Sequence, residues 1–419
     1  MTYKEFLNYI FSRHSSNIKL GLERIENILQ TMDTPNEKLG GIHIAGTNGK
    51  GSTAAICEAI AKYCGYSTGL YTSPHLKDYT ERFRIDGAPI DYKELLVCYC
   101  KWERVFTKMD ASFFEMTTAM AFEIFCKKAV EVAIVEVGLG GRLDATNLFK
   151  SNVSVVSSIS YDHTKILGQT KRLIAEQKGG IIKTNQAVIC GKMAKETLRV
   201  LLEIADKQNS YPVVFGKDFW IENVQTTPKC TTFDYLFGEY RLKRVKTNLL
   251  GNHQALNAAY AITAFIEFAK TRGYPINIQA IKTGLTQVMW DGRLQIIGQK
   301  PTVVIDGAHN TAAMANLVDN LKIIFPKKEF LFVVSILRDK DLSAMFADIC
   351  PLAKRVFIAK NSSPRAADNQ TQTEAVKTHG VDFTICSSVG DAKNLAIEMA
   401  EKDDVVVICG SLYTISDII

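Results

Sequence analysis

Residues 41–53 read Gly-Ile-His-Ile-Ala-Gly-Thr-Asn-Gly-Lys-Gly-Ser-Thr: a short apolar run that enters a glycine-rich turn, meets one lysine and continues into a helix-forming segment. No other stretch restricts the fold as strongly. A strand feeding a tight glycine turn and then a helix opens a parallel β/α unit, and the turn is a cradle for the phosphates of a nucleoside triphosphate. Glycines let backbone N–H groups face the phosphate oxygens, the helix N-terminus adds positive potential, and Lys50 reaches between the terminal phosphates. The spacing is not that of the ordinary P-loop, because Gly51 separates Lys50 from Ser52 and position 44 is Ile. The loop therefore belongs to a variant class. A turn serving only to pack strand against helix is the alternative, and the lysine and hydroxyls speak against it.

The rest of the chain repeats this alternation. Phe6–Ile10 and Gly21–Leu29 have helical periodicity; a helix follows from Ser52 to about Tyr63, and a strand at Ser67–Thr72 ends in Ser73-Pro74-His75. Helices are predicted over Tyr92–Lys108 and Thr117–Lys128. Val132–Val137 is then an apolar strand broken by Glu136, and Val153–Ile159 leads to Asp162-His163. Strands at Ala187–Cys190 and Pro212–Phe215 follow a helix containing Lys178. Polar residues thus recur where strands end, the edge at which open α/β sheets bind ligands. Residues 216–250 predict a small antiparallel ribbon appended to the parallel sheet, and Gly298–Pro301 reads as the link to a second alternating unit that starts at Thr302. The expected architecture is α/β: a P-loop-type, mostly parallel sheet domain over 1–296, then a smaller Rossmann-like α/β domain over 297–419. A chain of 419 residues exceeds what one core serves.

Composition narrows the function. Fifty Lys+Arg against 44 Asp+Glu leave +6 without a basic run, so no nucleic-acid partner is expected, and a polyanionic small substrate accounts for the excess. Ten cysteines without a Cys-x-x-Cys pair argue for reduced thiols rather than zinc or a disulfide frame. The opening residues lack a basic-then-apolar leader and no window reaches 18 uninterrupted apolar residues, which predicts no membrane association and a cytoplasmic enzyme.

A nucleoside triphosphate brings Mg²⁺, a hard ion satisfied by a few protein oxygens, waters and phosphate oxygens. Ser73, Glu136 and His163, all at strand ends, are the candidate holders. Glu136 is the strongest of them, since a charge inside so apolar a strand needs a partner. His163, taken alone, fits a structural histidine equally well.

Several motifs together resemble one family. They are Lys19-Leu20-Gly21-Leu22-Glu23-Arg24-Ile25, the 46–52 loop, Tyr71-Thr72-Ser73-Pro74-His75-Leu76 with Glu81–Gly87, and Glu136–Asn147. Asp162-His163-Thr164, Trp290-Asp291-Gly292-Arg293, Asp306-Gly307-Ala308-His309-Asn310, Asp339-Lys340-Asp341 and Gly410-Ser411-Leu412-Tyr413 continue the series. In order and over essentially the whole chain they resemble folylpolyglutamate synthase and dihydrofolate synthase, the folate branch of the Mur ligase superfamily. The resemblance implies an ATP-dependent amide ligase that phosphorylates a carboxylate and lets the amine of L-glutamate displace the phosphate. It implies that Gly49, Lys50, Gly51 and Ser52 hold ATP with Asn257, Arg293 and Asp306, that Ser73, Glu136 and His163 hold Mg²⁺, and that His309 acts near the acyl phosphate or the glutamate.

Lys178 looks like the lysine that the family carbamylates, although Gln177-Lys178-Gly179-Gly180-Ile181 departs from the usual Glu-Lys-Ala-Gly-Ile. Ser112, Phe113, Phe114 and Glu115, with Leu143, Asp144 and Ala145, resemble its pterin-side contacts, while both phenylalanines also fit a plain core. Thr311 stands where a proline is common. Small-molecule partners (ATP, L-glutamate and a pteroate or folate), both acceptor activities and a monomer are implied. The competing readings are a Mur-type ligase of cell-wall synthesis, for which no N-terminal domain precedes residue 46, and a P-loop ATPase switch, which would hydrolyse ATP without acceptor or glutamate.

Overall fold

The computed structural model describes residues 1–13 and 21–419, so Lys19 and Leu20 of the first motif lie outside the described residues. Two compact units emerge. The first comprises residues 1–222, 233–246 and 256–288, the second 223–232, 247–255 and 289–419.

The first unit is built on eight strands: β1 Gly41–Ala45, β2 Thr68–Tyr71, β3 Phe83–Ile85, β4 Ala88–Pro89, β5 Val132–Glu136, β6 Val153–Val156, β7 Ala187–Cys190 and β8 Tyr211–Val214. Their order is β4-β3-β2-β5-β1-β6-β7-β8. Pairing is parallel from β2 to β8, with the β3–β4 hairpin antiparallel at one edge. β1, β2, β5, β6 and β7 are buried along their whole length, as strands covered on both faces must be, and this explains why apolar residues dominate them. The adjacent ends of β2, β5, β1 and β6 lead into Ser73, Glu136, the lysine loop and Asp162-His163.

Two predicted elements shift in position. The helix expected from Thr117 starts at Phe113 and runs to Lys127, because Ser112 and Glu115 form a reciprocal capping box that the apolar pattern alone hides. The strand expected to reach Ile159 stops at Val156, and Ser157 and Ser158 turn their hydroxyls, and Ser158 and Ser160 their carbonyls, to the phosphate loop instead. The ribbon expected within 216–250 is present as a sheet of its own: β9 Phe219–Thr227, β10 Cys230–Phe237 and β11 Tyr240–Thr247, joined by two-residue turns.

The second unit carries β12 Gln295–Gly298, β13 Thr302–Ile305, β14 Phe330–Val334, β15 Ala353–Ile358, β16 Phe383–Ile385 and β17 Val405–Cys409 in the order β12-β13-β17-β14-β15-β16. All pairs are parallel except β12–β13. Residues 298–301, read from the sequence as a link, are instead the end of β12 and the turn 299–301 of that antiparallel hairpin. Helix Thr311–Ile324 begins immediately after the Asp-Gly-Ala-His-Asn motif, with the Asn310 side chain accepting from Ala313 N–H at 2.9 Å. With that cap in place, Thr311 at the first helical position does without the proline often found there.

Candidate active site

In the first unit the phosphate loop leaves β1 and closes on helix Lys50–Tyr63, whose N-cap is Gly49 at φ +85°. A Cβ on Gly49 would fall 2.4 Å from Asn257 Oδ1, so the Asn257 amide lies directly on the turn. Gly46 is confined in the same way, its missing Cβ position being 2.0 Å from Ser157 Oγ. The loop is braced from the end of β6. Ser158 O accepts from Thr47 N–H at 2.8 Å, Ser158 Oγ accepts from Asn48 N–H at 3.0 Å, and Ser157 Oγ donates to Asn48 O at 2.7 Å. Thr47 Oγ1 and Ser160 exchange two further bonds of 3.0 and 3.1 Å. These serines were not singled out from the sequence. Their only signal was a cluster of small hydroxyl residues directly after an apolar strand.

Two lysines meet at one carbonyl. Lys50 Nζ donates to Gly46 O at 3.1 Å and Thr47 O at 3.3 Å, and Lys178 Nζ donates to Gly46 O at 2.8 Å. Lys178 is buried, and that burial, reinforced by the Lys50 charge, pushes its pKa down to about 7. The unusual Gly179 beside it has a packing reason, since a Cβ there would lie 2.6 Å from Ile204 Cδ1.

Glu136 ends β5 almost fully buried, and its Oε2 accepts from Ser73 N–H at 3.1 Å. The structure thus brings Glu136 and Ser73 together. His163 follows β6 in a left-handed conformation (φ +48°), its backbone N–H bonded to Asp162 Oδ1 at 2.9 Å. Among the described residues no group of three or more His, Cys, Asp or Glu forms a metal cage. One buried carboxylate beside a serine suits Mg²⁺, which keeps waters and substrate phosphates as its other ligands.

The residues expected on the pterin side divide into two kinds. Ser112 Oγ accepts from Glu115 N–H at 3.3 Å and Glu115 Oε2 from Ser112 N–H at 2.8 Å, while Arg24 Nε bonds both Glu115 oxygens at 2.8 and 2.9 Å. Asp144 caps the turn Ala145–Leu148 and accepts from Leu139 N–H at 2.8 Å; burial raises its pKa above the ordinary value. Phe113 sits in the core, stacked on Phe11 with centroids 5.7 Å apart and with the Arg82 guanidinium 5.2 Å from its ring centre. Phe114 lies over Gly138, where a Cβ would be 2.3 Å from its Cζ. That contact joins the 112–115 and 138–145 segments. Leu143 is exposed and Ala145 buried.

In the second unit, Arg293, Asp306 and His309 gather around Gly307. Asp306 Oδ2 accepts from Leu294 N–H at 2.8 Å and Oδ1 from Ala308 N–H at 2.7 Å, so one carboxylate ties the 292–294 turn to the end of β13. Burial raises its pKa against the opposing pull of Arg293. A Cβ on Gly307 would fall 2.4 Å from Arg293 Nη1, which places the guanidinium on the Gly307 backbone, and His309 Nδ1 is 2.9 Å from Gly307 O.

The Mur ligase middle domain model matches residues 44–265, and that of the Mur ligase, glutamate ligase domain matches 292–412. The dihydrofolate synthase/folylpolyglutamate synthase of Bacillus subtilis (strain 168) is 30% identical over 99% of this chain and 98% of its own length. The chain belongs to the folylpolyglutamate synthase/dihydrofolate synthase family of Mur ligases. The folylpolyglutamate synthase of Lacticaseibacillus casei, at 31% identity over 99% and 97%, is another similar member. Mycobacterium tuberculosis folylpolyglutamate synthase complexed with ADP superposes with a TM-score of 0.93 at 29% identity, covering 99% of this chain and 96% of that one. E. coli FolC in complex with DHPP and ADP gives 0.89 at 29%, over 99% and 96%. The two-part α/β architecture expected from the sequence is thus the Mur ligase fold of this family. Among the described residues no helix is long and apolar enough to cross a membrane.

Proposed function

We propose that this chain is an ATP-dependent ligase that adds L-glutamate to a folate-type carboxylate. The observation that carries the reading is the lysine-bearing phosphate loop, braced by β6, beside a buried Glu136 on the neighbouring strand, in a chain that aligns over 98% of its Bacillus subtilis relative's length. Structures of similar proteins complexed with ADP and with AMPPCP support ATP as substrate.

The chemistry follows from the carboxylate being a poor electrophile. Its oxygen takes the γ-phosphoryl group and ADP leaves; the glutamate amine then attacks the acyl carbon, loses a proton and expels phosphate, leaving an amide. In our reading Gly49, Lys50, Gly51 and Ser52 hold the phosphates, with Asn257, Arg293 and Asp306 completing the nucleotide contacts. Ser73, Glu136 and His163 are the residues that would hold Mg²⁺, which spreads charge on the transferred group when bound. His309, held by Gly307 O, is assigned to the acyl phosphate or the incoming glutamate. Phe114 and Leu143 offer apolar surface to a flat heterocycle; Ser112, Glu115 and Asp144 shape that surface through their caps, with Phe113 and Ala145 packed behind.

Lys178 suits carbamylation because burial holds much of its amine neutral near pH 7, the form that adds CO₂. As a plain amine it would instead brace Gly46. Intact mass measured under bicarbonate separates the two. Use of both dihydropteroate and folate acceptors, a cytoplasmic location and a monomeric state complete the proposal.

The test is product mass spectrometry with ATP, glutamate and each acceptor. A new amide product, with ADP formation dependent on acceptor and glutamate, supports it; ATP hydrolysis indifferent to both would overturn it in favour of a switch.

A further inference from the structure

His43 lies at the middle of β1, where it pairs with Val135 of β5 on one side and Ser154 of β6 on the other, and it is fully buried. Its ring meets the edge of Phe149, with centroids 5.9 Å apart, and its Nε2 is 2.9 Å from Thr146 Oγ1. That hydroxyl proton is already committed. Thr146 Oγ1 donates to Asp144 Oδ1 at 2.5 Å and Thr146 N–H donates to the same oxygen at 3.0 Å, while Asp144 Oδ2 accepts from Leu139 N–H at 2.8 Å. Three donors hold Asp144 as a carboxylate. A hydroxyl has one proton to give, so Thr146 Oγ1 accepts from His43, and the network assigns the ring proton to Nε2 with Nδ1 bare. Burial, and then the charge of Lys183, keep the ring well below its ordinary pKa and therefore neutral.

Packing does not account for a histidine at this position. Nδ1 has no protein partner among the described residues, whereas an apolar side chain of similar size would bury no polar atom at all. What the imidazole supplies, and an apolar side chain lacks, is one donor aimed at Thr146. Through that donor the direction of the Thr146 hydroxyl, the setting of the Asp144 carboxylate and the closure of residues 139–144 are fixed in turn. This segment carries the exposed Leu143 and follows Gly138, over which Phe114 lies.

We propose that His43 is a positioning residue for the acceptor: through Thr146 it fixes Asp144 and the 138–145 segment, against which the flat heterocycle would rest. The proposal rests on the ligase reading above and extends it to a residue buried behind that surface.

Steady-state kinetics of the full chain test it, with dihydropteroate or tetrahydrofolate as acceptor, whichever the wild type uses. His43→Leu and Thr146→Val should each raise the acceptor KM about tenfold and leave the KM for ATP within about twofold of wild type. His43→Gln, whose amide N–H takes the place of Nε2–H, and Thr146→Ser, which keeps the hydroxyl, should restore most of the loss. The double variant His43→Leu/Thr146→Val should be no worse than either single one, because both break the same link. An acceptor KM that stays near wild type in the single variants, multiplies in the double variant, or rises in step with the KM for ATP would overturn the proposal. Should His43→Leu fail to fold, Thr146→Val and Thr146→Ser carry the test on the same KM comparison. A wild-type chain whose ATP turnover ignores every acceptor would instead overturn the ligase reading, and this proposal with it.

Discussion

The 46–52 loop of the first unit and the 306–310 loop of the second occupy the same place in their sheets, each at the end of a parallel strand, yet they are built with opposite charge. The first turns two lysine amines onto one backbone carbonyl and keeps its N–H groups at a helix start. The second buries a carboxylate whose two oxygens are taken by backbone N–H groups. In the proposed reading the first loop receives anions, while the second holds Arg293 and His309 against the Gly307 backbone. They share one device. Gly49 and Gly307 lack a side chain where the Asn257 amide and the Arg293 guanidinium lie on the main chain. The glycine in each case makes room for a distant polar group rather than for a turn alone.

The contrast breaks most visibly at Lys50. Lys50→Ala should lower turnover by at least about a thousandfold with an unchanged circular dichroism spectrum, as expected when a phosphate-charge donor is lost; near-normal turnover would mean the first loop is no phosphate receptor. Gly49→Ala and Gly307→Ala should each reduce ATP-dependent turnover about 10- to 100-fold through displaced side chains. Gly49→Ala should in addition lower stability by about 1 kcal/mol because of its positive φ. Equal stability losses in urea melts would show that the two glycines are not doing the different jobs assigned to them.

Lys178 sharpens the electrostatic side. Its folded pKa of about 7 lies below its ordinary 10.5, so between those values the unfolded chain binds more protons and stability rises with pH. Lys178→Met should remove that rise and gain on the order of 2 kcal/mol near neutrality, read from denaturant midpoints at pH 7 and 9. A slope that survives the substitution would place its origin elsewhere.

Glu58, buried on the phosphate-loop helix with Oε1 accepting from Gly87 N–H at 3.1 Å, behaves inversely. Burial lifts its pKa from 4.5 to about 7, so its contribution is full below 4.5 and is lost as pH rises through 7. Glu58→Gln should flatten that decline, a change of about 1–2 kcal/mol between pH 5 and 8.

Strand and helix alternation was legible because parallel strands covered on both faces are mostly apolar, and the charge of Glu136 stood out for the same reason. The helix at Phe113 was misplaced since its start depends on two side chains bonding each other's backbone, which periodicity does not register. The 298–301 hairpin was mistaken for a link because Gly and Pro mark any reversal of the chain, within a sheet or between units. The residues proposed to hold phosphate were visible where a local motif carries them, as in Gly49–Ser52. The serines that brace that loop, Ser157 and Ser158, were not, as their partner Asn48 lies about 110 residues away.

The order of residues alone thus settled the alternating α/β plan, the phosphate loop and the acidic strand end, all of which depend on neighbours within a few positions. Only the folded chain decided which hydroxyls brace that loop and that two lysines converge on Gly46. Those outcomes depend on distances and burial between segments that no local pattern encodes.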